Sequence, residues 1–149
     1  VSPNTTTAID AATLQAYLET HYRVRGGMPF TMRIGERCEA LAVLHASAGV
    51  RCSAFITAWN PYSQPDPDAA ANAAANAVRQ QALAQGLMRT GLRYIDGIGQ
   101  HPSNGWAGEE SLLVLGLARE AAEALGRHYG QNAIVWSGAD AVPQLVLLR

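Results

Sequence analysis

Cys52-Ser-Ala-Phe-Ile-Thr-Ala-Trp59-Asn60-Pro61 is an apolar run that stops at an aromatic ring, an amide and a backbone breaker. Its alternating sets, Cys52/Ala54/Ile56/Ala58 and Phe55/Trp59, are both largely apolar, the pattern of a central strand covered on both faces. Ligand sites in α/β folds tend to form where buried strands stop. Trp59-Asn60-Pro61 therefore marks the first candidate: a stacking face, an amide with two donors and one acceptor, and a rigid exit. The set suits a planar polar group, and equally a packing tryptophan followed by a turn that Asn60 initiates.

Upstream, Asp10 reads as the N-cap of a first helix, with Ile9 and Leu14 stapled across it and Leu14, Tyr17, Leu18 and His21 on one inward face. Strands over 22–25 and 30–34 flank Gly26-Gly27, which tolerate a tight hairpin, and Pro29 marks an edge strand. A helix over 36–48 follows, stopped by Gly49. Downstream, Asp66-Pro67 opens a long alanine-rich helix that ends before Gly91. Then come a strand over 92–95, a loop over 96–105, a strand over 111–117, a helix over 119–129 ended by Gly130, and strands over 133–137 and 144–148. Hairpins mixed with helical crossovers predict an α+β or mixed α/β fold: one domain over 1–149, a mixed sheet of about six or seven strands and one layer of about four helices.

The 149 residues carry 48% hydrophobic and 15% charged side chains and a formal net charge of −1. A chain of this size buries enough surface to fold without staples. The near-zero charge gives no long-range attraction to nucleic acid or membrane, so any anion site is local. Cys38 and Cys52 lie among apolar neighbours and are expected reduced and buried. With no signal pattern and no membrane-length apolar run, the expected compartment is the cytoplasm, although the start at Val1 leaves room for a missing upstream segment.

Three further polar spots stand out. On the long helix, Asn72, Asn76 and Arg79 form a stripe that runs into Leu83 and Leu87, placing Arg79 at the core edge, where it needs a carboxylate, a phosphate or solvent. Glu109 and Ser111 alternate on one face of their strand, and Glu109 could answer Arg79. Gln131-Asn132 follows a helix end, where amides satisfy loose carbonyls or face a cleft. The histidines are too far apart in sequence for a metal motif, and His101 is the one with an obvious chance of exposure. Gly97-Ile-Gly99 lacks the rest of a dinucleotide fingerprint and reads as loop.

These residues carry a resemblance. Arg33-Ile-Gly35, Phe55-Ile-Thr-Ala-Trp-Asn-Pro61, Asn76-Ala-Val-Arg79, Trp106 with Glu109-Glu-Ser111-Leu-Leu-Val114, and Gly130-Gln-Asn-Ala-Ile-Val-Trp136 resemble an uncharacterised bacterial group, the domain-of-unknown-function family 3293, across nearly the whole chain. The resemblance implies no reaction, ligand or partner. The residues themselves support a small cytoplasmic domain that binds a polar or anionic, nucleotide-like small molecule at the strand ends. Trp59 stacks, Arg79 supplies charge, and Asn60, Asn76, Glu109, Ser111, Gln131 and Asn132 complete the site. Two alternatives stay open: a protein-interaction or regulatory module using the 96–106 loop and the Arg23/Arg25/Arg33 face, and a hydrolase or transferase using Glu109. No cofactor or metal is expected.

Overall fold

The computed structural model describes residues 7–149, so the first six residues of the expected domain lie outside the description. The elements are α1 (Ala11–Glu19), β1 (His21–Val24), β2 (Phe30–Met32), α2 (Glu39–Ala48), β3 (Ser53–Ile56), a 3-10 turn (Pro61–Ser63), α3 (Ala69–Thr90), β4 (Tyr94–Gln100), β5 (Glu109–Leu115), α4 (Arg119–His128), β6 (Ala133–Ser137) and β7 (Pro143–Leu147). The seven strands form one sheet in the order β2-β1-β4-β5-β3-β6-β7. The α+β class holds, and β3 lies inside the sheet with all four residues buried.

The sheet is not mixed. Every one of its pairings is antiparallel. The helical crossovers do link strands of like direction, as crossovers must, but those strands are not neighbours. β5 lies between β3 and β4, and β3 lies between β5 and β6. The α3 and α4 crossovers thus each step over one strand of opposite sense, the α2 crossover spans β1, β4 and β5, and this interleaving is invisible to a local reading.

Nor do the helices form one layer. Leu83 and Leu87 of α3 and Ala122 of α4 pack on Ala54, Ile56, Leu112, Val114, Ile134 and Val146. On the other face, Leu41 of α2 packs with Tyr22, Val24, Met32, Phe55, Leu113, Leu115 and Val135. The sheet curls toward this second face: just beyond β2, Gly35 N–H donates to Pro143 O and Cys38 N–H to Ala141 O, both at 2.9 Å, which brings the two sheet edges together.

Several local signals act as read, and others are displaced. Asp10 caps α1, its Oδ1 accepting from Thr13 N–H at 2.7 Å. Gly49 and Gly91 end α2 and α3 in the left-handed conformation. The cap of α3, however, is Asp68, whose carboxylate accepts from Ala70 and Ala71 N–H, while Asp66 braces it by accepting from Asp68 N–H. Two acids in tandem compete for the same orphan donors, and the later one takes them. Cys38 is the N-cap of α2 rather than a helical residue, and it and Cys52 are free and half-buried rather than buried. No helix among the described residues is long and apolar enough to cross a membrane.

The expected loop at 96–105 is half strand. β4 runs through Gly97 and Gly99 to Gln100, pairing them with Ser111 and Glu109. A Cβ at Gly97 would sit 2.7 Å from both Arg23 O and the Phe55 ring. The glycine answers a close approach of the aromatic ring, one of the reasons glycine survives inside a strand.

Candidate functional site

Beyond β3 the chain turns sharply. Thr57 Oγ1 donates to Glu110 O at 2.6 Å and accepts from Trp59 N–H at 3.1 Å, a local turn that replaces ladder pairing. Asn60, Tyr62 and Ser63 then adopt φ of 45°, 58° and 56°. For a bulky residue such as Tyr62 that conformation is an outlier costing on the order of 1–3 kcal/mol. The segment is held by Tyr62 N–H donating to Gly130 O at 2.8 Å and by Arg149, whose guanidinium carbon lies 4.1 Å from the Tyr62 ring centroid.

A chain of polar side chains crosses this turn. Arg79 donates from Nε to Ala58 O at 3.2 Å and from Nη2 to Asn76 Oδ1 at 2.5 Å. The fully buried Asn76 also accepts from Asn60 N–H at 2.9 Å and donates to Asn60 Oδ1 at 2.8 Å. Asn60 Nδ2 donates to Glu109 Oε2 at 2.7 Å, and Trp106 Nε1 donates to the same oxygen at 3.2 Å. The helix stripe Asn76/Arg79 thus reaches the β5 carboxylate through the strained turn. Burial pushes the Glu109 carboxyl above its ordinary range, and the bonds from Asn60 and Trp106 partly draw it back.

Glu109 lines a cavity of about 310 Å³ between α1 and the concave face of the sheet. Its walls include Tyr17, Tyr22, Phe55 and Trp106, and its polar lining includes Thr57, Ser63, His101, Ser111 and Gln131. The volume lies at the small end of the range for ligand pockets. A second polar group closes the far side: Tyr17 Oη and Ser63 Oγ are hydrogen-bonded, and Asn132 Nδ2 donates to them at 3.1 and 3.4 Å. Arg149 Nη1 in turn donates to Asn132 Oδ1 at 3.1 Å.

Of the residues read from sequence, Glu109, Ser111 and Gln131 line the cavity. Asn60 joins it through Glu109, with Asn76 and Arg79 one and two bonds further back, and Asn132 supports Tyr17 and Ser63 from behind. Arg79 is turned to Ala58 and Asn76. Trp59 does not line the cavity: its carbonyl accepts from Gln131 Nε2 at 3.0 Å, and its indole N–H is buried without a partner among the described residues. Gln131 also satisfies the end of α4, donating from Nε2 to Tyr129 O at 3.3 Å.

His101 departs from expectation. Its side chain is only 8% exposed, whereas His128 is the exposed histidine. Nδ1 accepts from the backbone N–H groups of Ser103 and Asn104 at 3.1 and 3.0 Å, which places the ring proton on Nε2, 2.9 Å from Glu19 Oε1. Tyr17, Ser63, Thr57 and His101 carry no sequence signal of a shared site, since they come from three separate segments. Among the surface arginines, Arg25 pairs with Glu110 at 2.8 Å and Arg33 with Glu36 at 3.6 Å. Among the described residues no cluster of three or more His, Cys, Asp or Glu could hold a metal ion.

Residues 56–134 match the family described as Protein of unknown function (DUF3293), more than half of the chain, and the chain belongs to that family. The matched stretch contains the whole run from Arg79 through Asn76 and Asn60 to Glu109 and Trp106, and leaves out α1 with Tyr17. No curated protein and no solved structure matches the chain.

Proposed function

We propose that this DUF3293 protein binds a polar small molecule in the cavity between α1 and the curled sheet. One observation carries the reading: a strained turn and two hydrogen-bonded polar chains converge on a cavity of about 310 Å³ that otherwise has aromatic walls. Backbone strain and a desolvated carboxylate both cost stability, and both cluster where a fold holds a function in place. The setting fits a reducing cytoplasm, where Cys38 and Cys52 stay as thiols. An anionic or nucleotide-like ligand has less support than a polar one, because no arginine lines the cavity and the chain contains no lysine.

A fragment screen by amide-resolved NMR tests the reading. Binders should shift amides around Tyr17, Phe55, Glu109 and Gln131. Gly99→Val, whose Cβ has ordinary van der Waals clearance of 3.8 Å to Thr20 and Tyr22, should extend its methyls into the cavity and abolish those shifts. A screen in which no compound perturbs the cavity amides, or in which Gly99→Val binds as wild type does, would remove the cavity as the functional site.

A further inference from the structure

The cavity's hydrogen-bonding groups are lopsided. Thr57 Oγ1 donates to Glu110 O, Ser111 Oγ to Glu109 O at 2.9 Å, Tyr22 Oη to Tyr17 O at 2.7 Å, and Gln131 Nε2 to Trp59 O and Tyr129 O. Trp106 Nε1 points its proton at Glu109, and the His101 ring proton points at Glu19. Each of these donors is engaged inside the protein. Thr57, Ser111, Tyr22 and Gln131 are left with oxygen lone pairs to offer a ligand, while Trp106 and His101, whose Nδ1 already accepts from Ser103 and Asn104 N–H, offer nothing further. Glu109 adds the strongest acceptor: Oε2 takes both Asn60 and Trp106, while Oε1 has no partner among the described residues. The donors that remain are at the α1 and rim side: the Thr13 hydroxyl, one proton of the Tyr17–Ser63 pair, and the Asn104 amide.

An acceptor-lined carboxylate pocket with aromatic walls selects for positive charge and N–H groups. A carboxylate and oriented lone pairs attract a cationic donor through charge-assisted bonds, and aromatic faces stabilise a cation further. An anion would meet the Glu109 carboxylate and the lone pairs of Thr57, Ser111 and Gln131, and no formal positive charge on an arginine or lysine.

Resting on the small-molecule reading above, we propose that the ligand is an organic cation bearing N–H donors, a protonated amine, amidine or guanidine, seated on Glu109 Oε1 with its carbon skeleton against Phe55 and Tyr22. Ser111 and Gln131 take further N–H groups through their free lone pairs. Quaternary ammonium ions, which have the charge but no N–H, bind more weakly.

Benzamidine, benzamide and benzoate share one planar scaffold and differ in charge and donor number, and n-butylamine and tetramethylammonium separate N–H groups from charge alone. Calorimetric titration at neutral pH should give benzamidine or n-butylamine the highest affinity and benzoate none. Glu109→Gln keeps an acceptor for Asn60 and Trp106 but removes the charge. It should weaken the cations by about tenfold or more and leave benzamide within about twofold, with melting temperature and tryptophan fluorescence confirming the fold. Benzoate binding as well as benzamidine, failure of both N–H cations to bind, or cation affinity unchanged in Glu109→Gln would each overturn the proposal. If neutral or anionic compounds in the wider fragment screen still reach the cavity, only the cation assignment falls. If the screen is blank as well, the binding reading falls with it.

Discussion

Asn60 and Glu109, 49 positions apart in the chain, are joined by a 2.7 Å bond from the amide Nδ2 to the carboxylate Oε2. Asn60 holds a left-handed backbone conformation while its side chain serves Asn76 on one side and Glu109 on the other. Asparagine fits both demands, because its short amide tolerates positive φ better than most residues and offers both a donor and an acceptor. The geometry of the turn and the aim of the cavity carboxylate are thus one structural fact.

Asn60→Ala should therefore lose about 2–4 kcal/mol, since it strands the buried Asn76 amide and forces alanine into the left-handed region. Asn60→Gly loses the same side-chain bonds without the backbone penalty and should be roughly 1 kcal/mol more stable than the alanine variant. Urea denaturation of the three proteins measures both differences. Equal stability of the alanine and glycine variants would show that the turn relaxes away from positive φ.

Glu109 makes stability depend on pH in a defined direction. A carboxyl raised by burial binds its proton more tightly in the folded state than in the unfolded chain. Its contribution is full below the ordinary carboxylate range and is lost as pH rises through the raised value. Glu109→Gln has no such loss, so its melting temperature should climb relative to wild type between pH ~4 and pH ~8. Asp10 and Glu19, held below their ordinary range, work in the opposite sense but are common to both proteins, as are His101, Tyr17 and Tyr22 around the cavity. A melting difference that is flat across this range would show that Glu109 ionises as freely folded as unfolded.

Two glycines should respond oppositely to alanine. At Gly97 the new methyl would lie 2.7 Å from Arg23 O and from the Phe55 ring, and the backbone oxygen leaves little room to yield. A loss of about 1–3 kcal/mol is expected from overpacking. Gly86 lies inside α3, and a methyl added there would meet nothing within 4 Å. It should gain roughly 0.5–1 kcal/mol as alanine. Chemical denaturation midpoints read both signs.

What the sequence revealed and what it hid divide along physical lines. Two-faced burial of β3 is written in Ala54, Phe55 and Ile56 themselves, and the helix stops at Gly49 and Gly91 in single residues whose backbone preference is local. The Asn76/Arg79 stripe, Glu109 and Gln131 were legible because each is a polar group at an apolar boundary. The strand order was not, because interleaving of β3 and β5 is settled by packing over many residues. Gly97 mimicked a loop since the reason for it is the Phe55 ring, more than forty positions earlier in the chain. His101 and Tyr17 were hidden for the same reason: the cavity they line exists only once α1 is laid across the sheet.

The cover of that cavity should be the least stable part of the described fold. α1 has no buried residue, in contrast to β3. It stays in place mainly through polar contacts: the Tyr17–Ser63 hydrogen bond, Asn132 to Tyr17, Tyr22 Oη to Tyr17 O, and His101 to Glu19. Elements with few buried apolar contacts open locally, at free energies well below that of global unfolding. Native-state hydrogen exchange should accordingly find the amides of α1 exchanging through a local opening while those of β3 exchange only with the whole molecule. Tyr17→Phe removes the hydroxyl shared by Ser63 and Asn132 and leaves the ring. With roughly 1 kcal/mol lost from the closed state, exchange in α1 should quicken about fivefold, and β3 should change only as much as global stability does. Parallel slowing or quickening of α1 and β3 across a denaturant series, with one common opening energy, would show that α1 belongs to the same cooperative unit as the sheet and is no separate cover.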